Sequence, residues 1–351
     1  MLPIIDGHND TLLAATSDRA GGAFLTESDD PEGHLDLARA EEAGLAAGIF
    51  AAFVPNEGEQ DDWSELPPAV DHERARRIVD EQFRTLHGWA DATDRFRVIG
   101  DIDDLDACID GEAVGAVPHV EGAGVVSPDL VNLDSLYEIG VRSLGLVWSR
   151  PNAFAHGVPF EHGATPDIGP GLTESGFDLV VACEERGILV DLAHLNAAGF
   201  WDVAETVDAP LVVSHAGAHH ISPASRNLTD EQLDAVAGSG GLVGCTFGTA
   251  HLRPDGQRGV EGRSPSGSRA LPDDAPLSVL LDHIEYLADR MGVEHVALGS
   301  DFDGASIPDE VGDVRGLRTV LDGLEARGFD RADREAIASR NWRRVLAAWW
   351  S

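Results

Sequence analysis

Leu2-Pro3-Ile4-Ile5-Asp6-Gly7-His8-Asn9-Asp10 is the stretch around which the rest of the chain is organised. Residues 2–5 form a short, continuous apolar run, which predicts a buried first strand. Side chains two apart on a strand share a face, so His8 and Asp10 aim at one point from the strand's C-terminal end. An imidazole and a carboxylate converging there suit a divalent metal such as zinc. A polar turn after a strand is the plainer reading of these residues alone, so the decision rests on the other strand ends of the chain.

Apolar runs that predict further strands recur at 47–54, 113–120, 141–148, 188–192, 211–213, 242–247 and 295–298, with a short extra one at 96–99. Segments of helical character lie between them at 35–43, 71–92, 133–139, 173–186, 197–206, 229–237 and 277–291. Two more close the chain, at 312–327 and 331–350. Polar loops rich in Gly or Pro are expected at 16–33, 56–68 and 250–276. With 96–99 set aside, eight strands alternate with helices, the pattern of a parallel sheet covered by helices. Eight units in one chain favour an α/β fold closed as a (β/α)8 TIM-type barrel over an open doubly wound sheet. Residues 1–351 read as one barrel domain with extra loops and C-terminal helices. No Gly-x-Gly-x-x-Gly follows the first strand, which weakens a dinucleotide-binding reading.

The 43% hydrophobic fraction is that of a globular chain, and 351 residues suffice for a large core. Acids outnumber bases 62 to 25, the formal net charge is −37, and there is no lysine. Such a charge repels nucleic acid and anionic membranes, so neither is expected as a partner. The acidity is spread along the chain and reads as a halophilic-type solvated shell, suited to a high-salt cytoplasm where repulsion is screened. Cys108, Cys183 and Cys245 have no Cys-x-x-Cys spacing, which excludes a disulfide framework and a zinc-finger pattern. No signal peptide is expected, and no run reaches the roughly 20 apolar residues of a membrane span. These readings point to a cytoplasmic protein; a homodimer is compatible with them.

The polar residues at the strand ends carry the functional reading. His8 and Asp10 end the first strand, Glu121 the third of the eight, His194 and His215 the fifth and sixth, and Asp301 the eighth. In a parallel barrel these ends share the face where active sites lie. Each residue alone has an ordinary explanation, a hydrogen-bonded core histidine or a helix cap. Six together exceed the three protein ligands of a simple catalytic zinc site and suit two ions sharing a bridging ligand. Glu121 is the candidate bridge, because one carboxylate offers an oxygen to each ion. His8 and Asp10 would complete one ion, His194 and His215 the other. Without lysine, a carbamylated lysine bridge is ruled out by composition. Two Zn2+ per chain are expected, with Mn2+ or Co2+ acceptable to the same donors.

The chain resembles the renal (membrane) dipeptidase family of zinc peptidases among the amidohydrolase-type barrels. The resemblance runs through Asp6-Gly-His-Asn-Asp10, Glu121-Gly-Ala, Val190-Asp-Leu-Ala-His194, Val213-Ser-His215, Ser225-Arg-Asn227, Gly299-Ser-Asp-Phe-Asp-Gly304 and Asn341. It implies a binuclear zinc dipeptidase that uses metal-activated water on small dipeptides, with the ligands just assigned. It also implies that Arg226 holds the substrate's C-terminal carboxylate, for which a guanidinium fork is suited. Asp301 is the expected proton carrier between water and the leaving amine, with Asp303 as its rival.

Two departures stand out. The renal enzymes' histidine after the fourth strand is Trp148 here, leaving His156 as a substitute near the carbonyl, and a tyrosine expected near Phe247-Gly248 is missing. Asp6 is expected to orient a ligand. His119 shares the Glu121 face; His219 and His220 shape a loop; His34, His72, His87, His283 and His295 read as surface or helix-end residues. The alternatives are a barrel amidohydrolase acting on N-acyl amino acids or other small amides, and a metal-holding scaffold without catalysis.

Overall fold

Ile4–Asn9 forms strand β1, and all six of its residues are buried, as a strand covered on both faces requires. The computed structural model describes residues 1–17, 24–25, 33–57, 64–255 and 274–351. Most of the loops expected at 16–33 and 250–276, and the middle of that at 56–68, lie outside the described residues. The later strands are β2 (Leu45–Phe53), β3 (Phe96–Val98), β4 (Val114–Glu121), β5 (Ser143–Gly145), β6 (Leu189–Asp191), β7 (Val212–Ala216), β8 (Leu242–Cys245) and β9 (Val296–Leu298).

Every strand pairing is parallel. The order β2-β1-β9-β8-β7-β6-β5-β4 is closed by a β2–β4 pairing, which makes an eight-stranded (β/α)8 barrel. β2 occupies one edge of β4 along residues 115–121. The other edge is shared, with β3 at 114–116 and β5 at 119–121. The segment at 96–99 is therefore a ninth strand at the N-terminal end, outside the ring.

The helices begin where their caps dictate. Asp36, Asp71, Asp101, Thr173 and Asn196 each accept a backbone N–H of the first turn, and Thr229 with Gln232 forms a capping box. Such a cap contributes about 1 kcal/mol. The C-terminal segment runs through Arg331–Glu335, a π-turn at Ala336–Arg340, and Asn341–Trp349. It closes the N-terminal end of the barrel. Asn341 donates to the carbonyls of Val293 and Val296 at 2.7 and 2.8 Å, and the buried Trp342 indole donates to Leu298 at 3.0 Å. A Cβ on Gly7 would stand 2.4 Å from Trp342 Cζ2 and under 3 Å from the Ser214 and Leu298 carbonyls. Glycine at position 7 is what lets the indole reach the barrel interior.

Several elements differ from the sequence reading. Helices at Thr11–Thr16, Ile102–Ile109 and Thr249–Leu252 were not expected, the last overlapping the start of the loop read at 250–276. β5 is three residues long, not eight, because the chain leaves the sheet at Leu146 and carries Trp148, Ser149 and Arg150 onto the barrel mouth. His283 is not a surface residue: it is fully buried, its Nδ1 accepting from Ala218 N–H and its Nε2 facing the Leu252 carbonyl, each at 3.0 Å. Among the described residues no helix is long and apolar enough to cross a membrane.

Candidate active site

Glu121 is the last residue of β4 and the hub of the C-terminal mouth. Its Oε1 lies 3.0 Å from His194 Nε2, 3.8 Å from His215 Nε2 and 3.8 Å from His8 Nε2. His8 Nε2 is 3.6 Å from Asp10 Oδ2, and the Nε2 atoms of His194 and His215 are 3.1 Å apart. Three overlapping donor groups result: His8, Asp10 and Glu121; Glu121, His194 and His215; His8, His215 and Asp301. All six residues are buried. The structure thus brings together every metal-competent residue singled out in the sequence.

The surrounding chain fixes their orientations. His194 Nδ1 is 2.8 Å from the Ser149 hydroxyl, and His215 Nδ1 is 2.8 Å from the Ser214 hydroxyl. Ser214 in turn donates its O–H and its N–H to Asp191, which also takes the N–H of Ala193. A hydrogen bond at Nδ1 leaves Nε2 available as a ligand atom. Asp301 N–H donates to the His8 carbonyl at 3.0 Å, tying the β9 end to β1. His194 and Asp301 have φ of 66° and 63°, a costly conformation for non-glycine residues that clusters at functional sites. Gly304 has no room for a Cβ, which would lie 2.0 Å from Asp10 Oδ2 and 2.6 Å from Asp301 Oδ1.

The remaining expected residues take varied places. Arg226 is buried, donates to the His215 carbonyl at 3.3 Å, and has an Nε–H without a partner. Its neighbours are pinned: Ser225 donates to the Pro159 carbonyl, and Asn227 spans Gly217, Ser222 and His251. Asp303 is occupied by Thr11 Oγ1 at 2.7 Å and His34 N–H at 2.6 Å, and belongs to no metal-competent group. Asp6 meets the β9 end rather than an imidazole nitrogen: its two oxygens accept from Ser300, N–H and O–H, at 2.8 Å. His119 lies below the cluster, its Nδ1 2.9 Å from the Ser143 hydroxyl and its ring edge-on to His8 at 5.7 Å. His156 packs against Gly169 and belongs to none of the three donor groups. His219 reaches the Ala164 carbonyl and His220 stacks on Tyr286, as loop-shaping residues do.

The electrostatics are those of donors awaiting a cation. Burial lowers the pKa values of His194 and His215 well below the ordinary value, keeping both neutral. Burial alone would lower His8 too, but the Glu121, Asp10 and Asp301 carboxylates raise it to about 10. Burial raises Glu121 to about 8 and Asp301 to about 7. His8 Nε2 and Asp10 Oδ1 are buried without a hydrogen-bond partner, an unfavourable arrangement that a bound ion relieves. Imidazoles with carboxylates are borderline-to-hard donors, the set that holds zinc, manganese or cobalt. The residues present therefore fit the expected metal.

Some participants were missed in the sequence. Asp191 and Ser214 sit inside quoted motifs, and Ser214 adjoins His215, a signal that was available. Ser149 and Arg150 come directly after Trp148 and carried no signal of their own. Arg150 is buried beside the mouth, with its guanidinium 5.1 Å from the Trp148 ring and 5.4 Å from that of Phe53. It lines a small cleft together with Val54, Glu121, Gly122, Trp148 and Asn152.

A closed parallel barrel carrying such a donor cluster at its C-terminal mouth defines a metal-dependent hydrolase. A metallo peptidase from Rhodobacter sphaeroides, solved with a phosphinate mimic of the dipeptide L-Ala-D-Ala, is 38% identical, with a TM-score of 0.91 over 99% of both chains. Dipeptidase AC, a metallo peptidase of family M19, is 39% identical, with a TM-score of 0.90 over 99% of both chains. An uncharacterized protein from the pqqA 5′ region of Klebsiella pneumoniae is 41% identical over 261 residues, 74% of this chain and 92% of that protein. The chain belongs to the membrane dipeptidase family, peptidase family M19, which matches residues 1–349. It is a hydrolase and, by family, a metallo dipeptidase.

Proposed function

We propose that the chain hydrolyses the peptide bond of dipeptides at a centre of two zinc ions. Glu121, His8, Asp10, His194 and His215 would hold them, with Glu121 as the shared ligand, His8 and Asp10 on one side of it and His194 and His215 on the other. The observation that carries the reading is the Glu121 Oε1 atom standing within 3.0–3.8 Å of the Nε2 atoms of three histidines from three other strand ends. When bound, the ions supply Lewis-acid polarisation of the carbonyl and an acidified water.

The chain's own residues do the rest. Arg226 aims its free Nε–H and guanidinium fork at the substrate's C-terminal carboxylate, which fixes the register of the scissile bond. Asp301 takes the proton of the attacking water and delivers it to the leaving amine. Asp303, committed to Thr11 and His34, is not free for that part. Ser149 and the Asp191–Ser214 pair hold the imidazoles with Nε2 facing the ions. Residues 1–351 form one catalytic unit in this reading, working in a high-salt cytoplasm and having no nucleic-acid or membrane partner.

The test is a panel of dipeptides and N-acyl amino acids assayed before and after metal removal. Dipeptides are expected to be cleaved, with activity lost to a chelator and restored by zinc. Cleavage of acyl amino acids without dipeptides would replace this reading by the broader amidohydrolase one.

A further inference from the structure

Three arginines are buried among the described residues: Arg39, Arg150 and Arg226. Arg39 is paired with Asp36 and Asp313 at 2.7 and 3.2 Å. The other two border the candidate active site, and neither has a carboxylate within ion-pair distance among the described residues. In a chain with 62 acidic and 25 basic residues, leaving a buried cation without a counter-ion is a costly exception. Arg226 is accounted for by the substrate's C-terminal carboxylate. Arg150 is not.

Arg150 is held in place by neutral partners. Its guanidinium donates to the Asn56 side chain at 2.7 Å and to the Val54 carbonyl, and lies near the Phe53 and Trp148 rings. Two of its five N–H groups are used in this way, which leaves donors for a ligand. The acidic group nearest in sequence to these partners, Glu57, is engaged by Arg74 at 3.2 Å. Arg150 and Glu121 line the same cleft. If Glu121 is bound to metal, its charge no longer serves Arg150.

The chain order sets the direction. Arg150 lies after β5 and Arg226 after β7, with His194, after β6, between them. A dipeptide lying across the ions with its C-terminal carboxylate on Arg226 directs its N-terminal residue towards the β4–β5 side. We propose that Arg150 is a specificity-determining residue that binds a carboxylate on the side chain of the N-terminal residue, so that dipeptides beginning with Glu or Asp are preferred. This inference rests on the dipeptidase reading above.

Isosteric pairs test it: Glu-Ala against Gln-Ala, and Asp-Ala against Asn-Ala, with the zinc-loaded enzyme at one salt concentration. The wild type is expected to favour the acidic member by about 10- to 100-fold in kcat/KM, chiefly through KM. Arg150→Met is expected to bring that ratio close to one, and Arg150→Lys to retain part of it. A wild-type ratio near one overturns the inference, as does a ratio unchanged in Arg150→Met. If Arg150→Met does not fold by circular dichroism, the wild-type ratio and Arg150→Lys decide. Equal cleavage of Glu-Ala and Gln-Ala removes only the role of Arg150, whereas cleavage of no dipeptide removes the dipeptidase reading with it.

Discussion

Glu121 concentrates on one carboxylate what the six mouth residues share: it touches the donor sets on both sides, and burial makes its charge costly until cations arrive. Asp301 stands at the edge of the same cluster, held by its N–H bond to His8. Asp301→Asn keeps the shape of the side chain and removes its proton acceptor. The variant is expected to bind metal at the wild-type stoichiometry and lose about 100-fold or more in kcat. Near-normal turnover would remove Asp301 from proton transfer. The metal-competent set was legible in the sequence because a strand's two-residue period and a barrel's common rim reduce a three-dimensional cluster to a list of strand ends. The supports were not. Ser149 meets His194 across 45 positions and Asp191 meets Ser214 across 23, and neither separation has a period that one sequence reveals. The same limit hid the partner of Asp6, Ser300, which lies 294 residues away.

At the scale of elements, strands with both faces covered were readable as apolar runs, whereas the shortest helices were lost. Ile102–Ile109 buries Leu105 and Cys108, three apart, but it is only eight residues long and carries three aspartates. The loss of β5 after Gly145 was also invisible, because Leu146 and Val147 stay buried after leaving the sheet. His283 shows what a buried polar group does to an element. It ties the Leu277–Met291 helix to Ala218 and Leu252, and burial lowers its pKa to about 4. Its neutral form is therefore favoured in the folded chain relative to the unfolded one, whose histidine titrates near 6.5. The associated stability is present above pH 6.5 and is lost as the pH falls towards 4. Replacement by asparagine keeps an acceptor for the Ala218 N–H without a titrating group. Between pH 7 and pH 5, urea unfolding is expected to show the wild type losing roughly 2 kcal/mol more than His283→Asn. Equal losses would contradict the assignment.

At the scale of the molecule, charge and metal dominate. Many arginines make ion pairs at the surface, such as Arg290 with Asp234 and Arg343 with Asp106. Exposed pairs contribute about 0–1 kcal/mol each, so salt that screens them removes little. The same salt screens the mutual repulsion behind a net charge of −37. Thermal stability and dipeptide turnover are therefore expected to rise together from dilute buffer to molar potassium chloride. Full stability and activity in dilute buffer would reject the high-salt reading and leave the barrel and its site as they are. The central claim is that one carboxylate joins two ions at the barrel mouth. It is tested most directly by an anomalous difference map at the zinc edge of crystals of the zinc-loaded protein. The account predicts two peaks on either side of the Glu121 carboxylate, one towards His8 and Asp10 and the other towards His194 and His215. A single peak, or peaks that do not touch Glu121, would contradict it.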